Sequence, residues 1–273
     1  MFFLFAVVPM VGVAYLSLTS WDGLSSPQFI GLDNWRRLVG DDLVRQSLVV
    51  TLVLLAGNIL VQAPISILIG VWSAGFQRNR AILTAIFFAP LLLSTAACAI
   101  MWRQLLDPNF GVPSKAQWLL PDDILGNQTS ALIAIITVTS WQFIPFHSLL
   151  YQAGARAIPE VLYQAAEIDG AGRVRQFIHI TLPQLRNTIV TSTTFMIVGG
   201  LTVFDGVLVL TNGGPGTDTS ILPFRMYQTA FRAYDMGYAS AIALLLLILA
   251  TAVSILLVRL SGYDKMQSTL EGL

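Results

Sequence analysis

Tyr163–Pro183 reads YQAAEIDGAGRVRQFIHITLP and forms a polar island in an apolar chain. Glu167, Asp169, Arg173 and Arg175 fall within it, together with Gly170, Gly172 and the closing Pro183. Of the 273 residues, 55% are hydrophobic and 11% are charged. A soluble domain carries about 25% charged residues. A soluble fold this apolar could not cover its own surface, so the natural solvent is a lipid bilayer. The polar island must then lie outside the hydrocarbon, on one side or the other.

Runs of about 20 apolar residues are long enough to cross a bilayer as helices. Six are read on either side of the island, at about 1–19, 47–75, 81–105, 129–152, 185–210 and 237–260. Pro9, Pro64, Pro90 and Pro145 fall inside them, which a bundle tolerates when neighbours satisfy the freed carbonyls. The first run lacks a basic n-region and a small-residue cleavage site, so it reads as a membrane helix rather than a cleaved signal peptide, with little or no tail before it. No internal repeat or low-complexity tract is present. The expected fold class is all-α integral membrane, one transmembrane domain over 1–273.

An even number of crossings puts both ends on one side. The 15 Lys and Arg then divide into two sets. Arg36, Arg37, Arg45, Arg103, Lys115, Arg225 and Arg232 lie in the long loops 20–46, 103–128 and 211–236. Arg78, Arg80, Arg156, Arg173, Arg175, Arg186, Arg259 and Lys265 lie in shorter segments on the other side. The denser set marks the cytoplasmic face. The island becomes the largest cytoplasmic loop, about 157–183. Trp21, Trp35 and Trp118 are then interfacial anchors outside, and Phe29–Val39 reads as a short amphipathic helix on the outer surface.

Within the loop, Pro159 suits a helix start and Glu160 the positive end of its dipole. Val161, Ala165 and Ile168 share one face by their spacing. Ala165 and Ala166 are small enough for another surface to approach the backbone. Asp169-Gly170-Ala171-Gly172 is turn chemistry. RVRQFIHI resumes a short helix, which Thr181-Leu182-Pro183 is expected to end. Two short helices joined at a glycine elbow suit either a loop folded back on its own bundle or a docking element for a soluble partner.

These residues also carry a resemblance. Gln164-Ala165-Ala166, three residues, Gly170, nine residues, then Ile180-Thr181-Leu182-Pro183 resembles the E-A-A…G…I-x-L-P loop of permease subunits in binding-protein-dependent ABC importers. FIGLDNWRRL, FFAPLLL, WRQLLDPNFG, SWQFIPF, RAIPEVLYQAAEIDGAG, LTNGGPGTDTS and YQTAFRAYDMGYASA, in that order along the chain, look like the carbohydrate branch, the maltose-type F and glycerol-phosphate-type A permeases. The resemblance implies the type I importer permease fold in a bacterial inner membrane. It also implies a homologous second permease subunit, two ATP-binding subunits holding ATP and magnesium, and an extracytoplasmic solute-binding protein that delivers a carbohydrate-like solute. The ATPase-coupling residues would be Glu160, Gln164, Ala165, Ala166, Asp169, Gly170, Ile180, Leu182 and Pro183. Gln164 departs from the pattern, since relatives carry a glutamate there, and Glu160 or Glu167 would supply the missing charge. Aligning along FAP, SWQ and LTNGGP places the relatives' sugar contacts near Thr95, Thr139, Gln142, Phe143, Gly200 and Val203.

Other chemistries find little support. There is no G-x4-G-K-[ST] run, so the chain does not hydrolyse ATP alone. Gly213-Gly214-Pro215-Gly216 reads as a tight turn; its counterpart in the resembled family faces the solute-binding protein. No G-x-S-x-G or H-E-x-x-H pattern occurs, and His147 and His179 stand far apart in the sequence. Cys98 is alone, so no disulfide or zinc site forms within the chain. The zero net charge offers nothing to nucleic acid. Asp169-Gly170 with Arg173 faintly resembles lipid-alcohol phosphotransferases, but the further carboxylates that two metal ions need do not follow. Asp205 is the one acid inside a span. It opens an alternative, a proton-coupled secondary carrier, although the repeats and interrupted helices usual in carriers are not legible.

Overall fold

The structure, a computed structural model, describes residues 3–75, 86–115 and 123–261. Trp118, Arg78, Arg80 and Lys265 lie outside them. The longer helices are α1 (Val8–Leu16, entered by a π-helical turn at Phe3–Val7), α2 (Asp33–Gly40), α3 (Asp42–Ser73), α4 (Thr95–Leu105) and α5 (Gln128–Arg156). They continue as α6 (Glu160–Ile168), α7 (Arg173–Gln176), α8 (Arg186–Thr202), α9 (Asp205–Leu210), α10 (Leu222–Tyr227) and α11 (Met236–Ser261). A two-stranded hairpin pairs Thr19 with Phe29 and Ser20 with Gln28.

Three helices among the described residues are long and apolar enough to cross a bilayer: α3, α5 and α11 over Met236–Leu257. At 32 residues, α3 is about 48 Å long, so it overruns a core about 30 Å thick. Its start is fixed by Asp41, whose Oδ1 accepts from the amides of Leu43 (2.9 Å) and Val44 (3.3 Å), satisfying two orphan donors.

Two of the six expected spans are not single helices. Before α4, Ala89–Leu92 is a 3₁₀ turn and Leu93 is extended (ψ 146°). Pro90 cannot donate, and the backbone unwinds beside it. The fifth run breaks at Phe204 (φ −133°, ψ −53°) between α8 and α9, although no proline marks the place. Interrupted helices, unexpected from the sequence, are therefore present. Asp205 is not inside a continuous span either: it is exposed, in the first turn of α9, where a carboxylate suits the dipole.

By internal packing the residues form two units. The first comprises 1–55, 99–135 and 199–252. Its core joins Val44, Leu222, Tyr238 and Ile242, with Leu38, Leu48 and Met226 against them. Asn34 of α2 is buried and donates to the carbonyls of Ser17 and Thr19, and the amides of Met236 and Gly237 donate to Trp21 O. The amphipathic helix expected on the outer surface is thus tied into this unit by its polar face.

The second unit comprises 56–98, 136–198 and 253–273. Here α3 and α5 run side by side in the same direction. Asn58 meets Thr139 and Ser140, Ser66 meets Ile144, and Ser73 meets Gln152. Parallel neighbours require the chain to cross back between them, which is the task of the third run. In contrast α8 is antiparallel to α5: Ser192 meets His147 (3.0 Å), while Leu185 and Thr188 lie against Gly154. Small and polar side chains make these contacts, as in bundles where lipid removes any hydrophobic drive between helices.

Candidate functional site

The loop 157–183 starts one residue after α5 ends. Pro159 is extended (ψ 128°) and caps α6, with Glu160 in the first turn. Its far end is a Schellman motif: the Gly170 amide donates to Glu167 O (3.0 Å) and the Ala171 amide to Ala166 O (2.8 Å). The motif needs a left-handed residue, and Gly170 supplies it at φ +72°. Gln176 Nε2 donates to Ala171 O (3.0 Å), bracing the elbow from the other side.

The expected stop at Thr181-Leu182-Pro183 does not occur. From α7 the backbone passes through a π-helical segment, Phe177–Thr181, into the helical turn Leu182–Gln184 and on to α8, with only Leu185 in a turn. Pro183 stands in the first turn of Leu182–Gln184, and the wider π turn before it accommodates the ring and the missing donor. The second arm of the elbow is thus nearly continuous with a membrane helix.

One face of α6 points to its own chain and the other does not. Tyr163 and Ala166 are half-buried, and the Tyr163 hydroxyl shares a hydrogen bond of 2.9 Å with Thr181 Oγ1, itself buried. The opposite face, Glu160, Val161, Gln164, Ala165 and Ile168, is exposed. Val161 is 64% exposed, Ile168 88%, and Val174 across the elbow 73%. The adjacent alanines have different neighbours: Ala166 packs inward and Ala165 leaves an open, shallow face. Among the described residues the side chains of Glu160, Gln164, Glu167 and Asp169 make no hydrogen bond or ion pair, and the side chains of Arg173 and Arg175 are exposed. Ile180 and Leu182 are half-buried and Pro183 is exposed.

The expected solute contacts divide between the units. In the second, Thr139 and Gln142 are buried and engaged. Thr139 Oγ1 donates to Asn58 Oδ1 (2.7 Å), and Gln142 Nε2 to the Leu93 carbonyl (3.2 Å) freed by the unwound segment. Thr95 and Phe143 are half-buried. In the first, Gly200 and Val203 are half-buried and Asp205 is exposed. Asn58, buried with Gln62 donating to it at 3.0 Å, was not a sequence candidate. Its signal is the four-residue repeat Asn58, Gln62, Ser66, Gly70 along one face of α3.

On the first unit, Asp41 and Asp235 organise a polar network. Asp41 Oδ2 accepts from the Tyr238 hydroxyl at 2.8 Å and lies 3.9 Å from Arg225 Nη2. Arg37 bridges to Asp235 (2.6 Å) and lies over the Tyr238 ring, 3.9 Å from its centroid. Burial pushes the Asp41 carboxyl upward, but the Tyr238 hydroxyl, the Val44 and Leu43 amides and Arg225 outweigh it and hold its pKa below the ordinary value. In the preceding loop, the amides of Ser25 and Leu24 and the Ser25 hydroxyl hold the exposed Asp22 at about 2. The expected tight turn over Gly213–Gly216 is instead a junction between two turns, one closed by Gly214 N donating to Thr211 O (3.0 Å) and the next by Asp218 N donating to Pro215 O (3.0 Å).

Comparison with known proteins decides what this assembly belongs to. Residues 49–262 match the family model of the binding-protein-dependent transport system inner membrane component. The chain belongs to that family. It is an inner-membrane permease subunit, the membrane part of a transporter whose ATP hydrolysis is performed by a separate subunit. It is 33% identical over 262 residues to the multiple sugar-binding transport system permease protein MsmF of Streptococcus mutans, covering 94% of this chain and 90% of that one. It is 32% identical over 270 residues to the probable ABC transporter permease protein YurN of Bacillus subtilis, with 93% and 90% coverage. The trehalose/maltose transport system permease protein MalF of Thermococcus litoralis shows 30% identity over 272 residues, with 96% and 90% coverage. In fold, the permease matches a chain of a bacterial ABC transporter that imports the acidic polysaccharide alginate, at a TM-score of 0.84 and 21% identity, over 98% of this chain and 92% of that one. Nothing in these matches supports a proton-coupled carrier working through Asp205.

Proposed function

We propose that this permease subunit forms half of the translocation path of a carbohydrate importer and is driven through the loop Tyr163–Pro183 by ATP-binding subunits. The observation that carries the reading is the open face of α6. Val161, Ala165 and Ile168 present apolar surface outside the hydrocarbon, rimmed by Glu160, Gln164, Asp169 and Arg173. Exposed apolar surface with a polar rim is the mark of a protein-docking site. The relatives named for multiple sugars and for trehalose/maltose support a carbohydrate solute, and an alginate transporter solved with its pentasaccharide-bound periplasmic protein supports a solute-binding partner outside.

The whole chain acts as one permease domain beside a homologous second permease. Two ATP-binding subunits, with ATP and magnesium in their own sites, grip one loop from each permease. Closure of the ATPase dimer pulls the loops together and turns the path outward to receive solute. Release after hydrolysis returns it inward. Glu160 lies one helical turn from Gln164 on the same exposed face and replaces the acid that Gln164 lacks. Near the solute, Thr95, Thr139, Gln142, Phe143, Gly200, Val203 and Asp205 are the path candidates, with Thr139 also tying α5 to α3 through Asn58 and Gln142 tying α5 to Leu93.

The test is co-purification with the ATP-binding subunit encoded for the same importer. The wild-type chain retains it through size-exclusion chromatography, and Ile168→Glu, which buries a charge in the contact, loses it. Retention by Ile168→Glu and by Ala165→Trp alike would refute docking at this face.

A further inference from the structure

The loop leaves α5 just after Gly154 and returns to the bundle at Leu185–Thr188, and these two points touch. A Cβ on Gly154 would lie 2.6 Å from Thr188 Oγ1 and 2.9 Å from Leu185 Cδ2. Leu185 is fully buried. The neck of the loop is therefore closed by a tight contact between the Gly154 backbone and the side chains of Thr188 and Leu185. One turn further back, a Cβ on Gly70 of α3 would lie 2.5 Å from Tyr151 Cβ, 2.7 Å from the Ser148 carbonyl oxygen and 3.1 Å from the Gln152 amide nitrogen. The last two are backbone atoms and cannot rotate away. Around the glycines, Gln152 Nε2 donates to Ser73 O (2.8 Å), Arg156 Nε to Ala74 O (3.3 Å), and His147 Nδ1 meets Ser192 Oγ (3.0 Å).

We infer that Gly154, backed by Gly70, is the transmission contact of the permease: a pair of positioning residues through which displacement of the loop reaches α5 and α3. This rests on the reading of Tyr163–Pro183 as the ATPase-driven loop. Long side chains at such a junction would absorb a displacement of an ångström or so by changing rotamer. At Gly70 backbone is packed on backbone, and at Gly154 the short Thr188 side chain and the fully buried Leu185 bear directly on the α5 backbone, so neither contact yields readily, because close-packed interiors are nearly incompressible. The run from Arg173 through Leu182–Gln184 into α8 is nearly unbroken helix, so the loop arm and the start of α8 move together. The start of α8 then carries α5 at Gly154, and α5 carries α3 at Gly70. The contacts that pass motion into the bundle are thus placed at the loop's neck rather than at its tip.

The experiment uses the complete importer, permease pair, ATP-binding subunits and binding protein, reconstituted in proteoliposomes, and reads solute imported per ATP hydrolysed. Gly154→Ala wedges the neck open. It is expected to keep the ATP-binding subunit bound and still hydrolyse ATP, while import per ATP falls by about fivefold or more, the scale of coupling between packed neighbours. In the double variant Gly154→Ala/Thr188→Ala the closer clash, with the threonine hydroxyl, is gone and only the tip of Leu185 remains, so import per ATP recovers in part, to about twofold or more above the single variant. A purely structural glycine would lower yield and hydrolysis together and leave the ratio unmoved. An unchanged ratio in Gly154→Ala overturns the inference. So does a double variant that couples no better than the single, or one that fails to assemble. Failure of the underlying loop reading shows differently: the wild-type complex would lose nothing on Ile168→Glu, and ATP-binding subunits would not depend on the loop at all.

Discussion

Gly170 and Gly172 are two residues apart and look alike in sequence, yet they do different work. Gly170 sits at φ +72° in the Schellman motif, while Gly172 precedes α7 at φ −67°, ψ 164° with open space around it. Gly170→Ala forces a Cβ into the left-handed region and costs about 1–2 kcal/mol locally. Gly172→Ala stays within about 0.5 kcal/mol. Amide exchange across Ala165–Gln176 is the measurement: it speeds up in the first variant and not in the second. Asp41 makes a second residue-scale prediction. Its folded pKa is lowered, so its stabilisation is present above the unfolded value of about 4 and is lost as pH falls through the folded one. Asparagine keeps the cap but not the charge. Melting of detergent-purified Asp41→Asn is therefore lower than wild type near neutral pH, and the gap closes in acid.

Breaks in the helices are where element-scale reading parts from the sequence. Pro90 is visible in the chain, and the unwound Leu93 beside it follows from its missing donor. The break at Phe204 has no proline to mark it, and the Asp205-Gly206 that follows is too weak a local signal to end a helix in an apolar run. Pro183 misled in the other direction. A proline after a short helix reads as a stop, but the π segment Phe177–Thr181 makes room for it, and local sequence carries no signal for that widening. The spans themselves were legible because twenty apolar residues have few alternatives. Their partners were not, since a serine or glycine stripe such as Ser66, Gly70 and Ser73 gains meaning only when the neighbouring helix is known. Gln142 shows the consequence. It reads as a solute contact in sequence, and in the fold its Nε2 also satisfies the Leu93 carbonyl. Gln142→Leu leaves that carbonyl unpaired and destabilises the complex by about 1–2 kcal/mol, read as a lower melting temperature with solute affinity of the binding protein unchanged.

At the scale of the whole molecule, the polar island and the apolar runs have one explanation. The bilayer demands helices whose backbones are satisfied internally, and the proposed docking of an ATP-binding subunit demands a handle outside the bilayer with a face left uncovered. The loop answers the second demand with Val161, Ala165 and Ile168 open and with Tyr163, Ala166 and Thr181 holding them in place. A single cysteine introduced as Ala165→Cys, in a Cys98→Ser background, tests this most directly. With the complete importer in inside-out vesicles, the account predicts that a short bifunctional thiol reagent cross-links position 165 to the ATP-binding subunit and that the subunit's presence shields the thiol from maleimide. Free labelling of position 165 in the assembled importer, with no cross-link to the ATP-binding subunit, would contradict it.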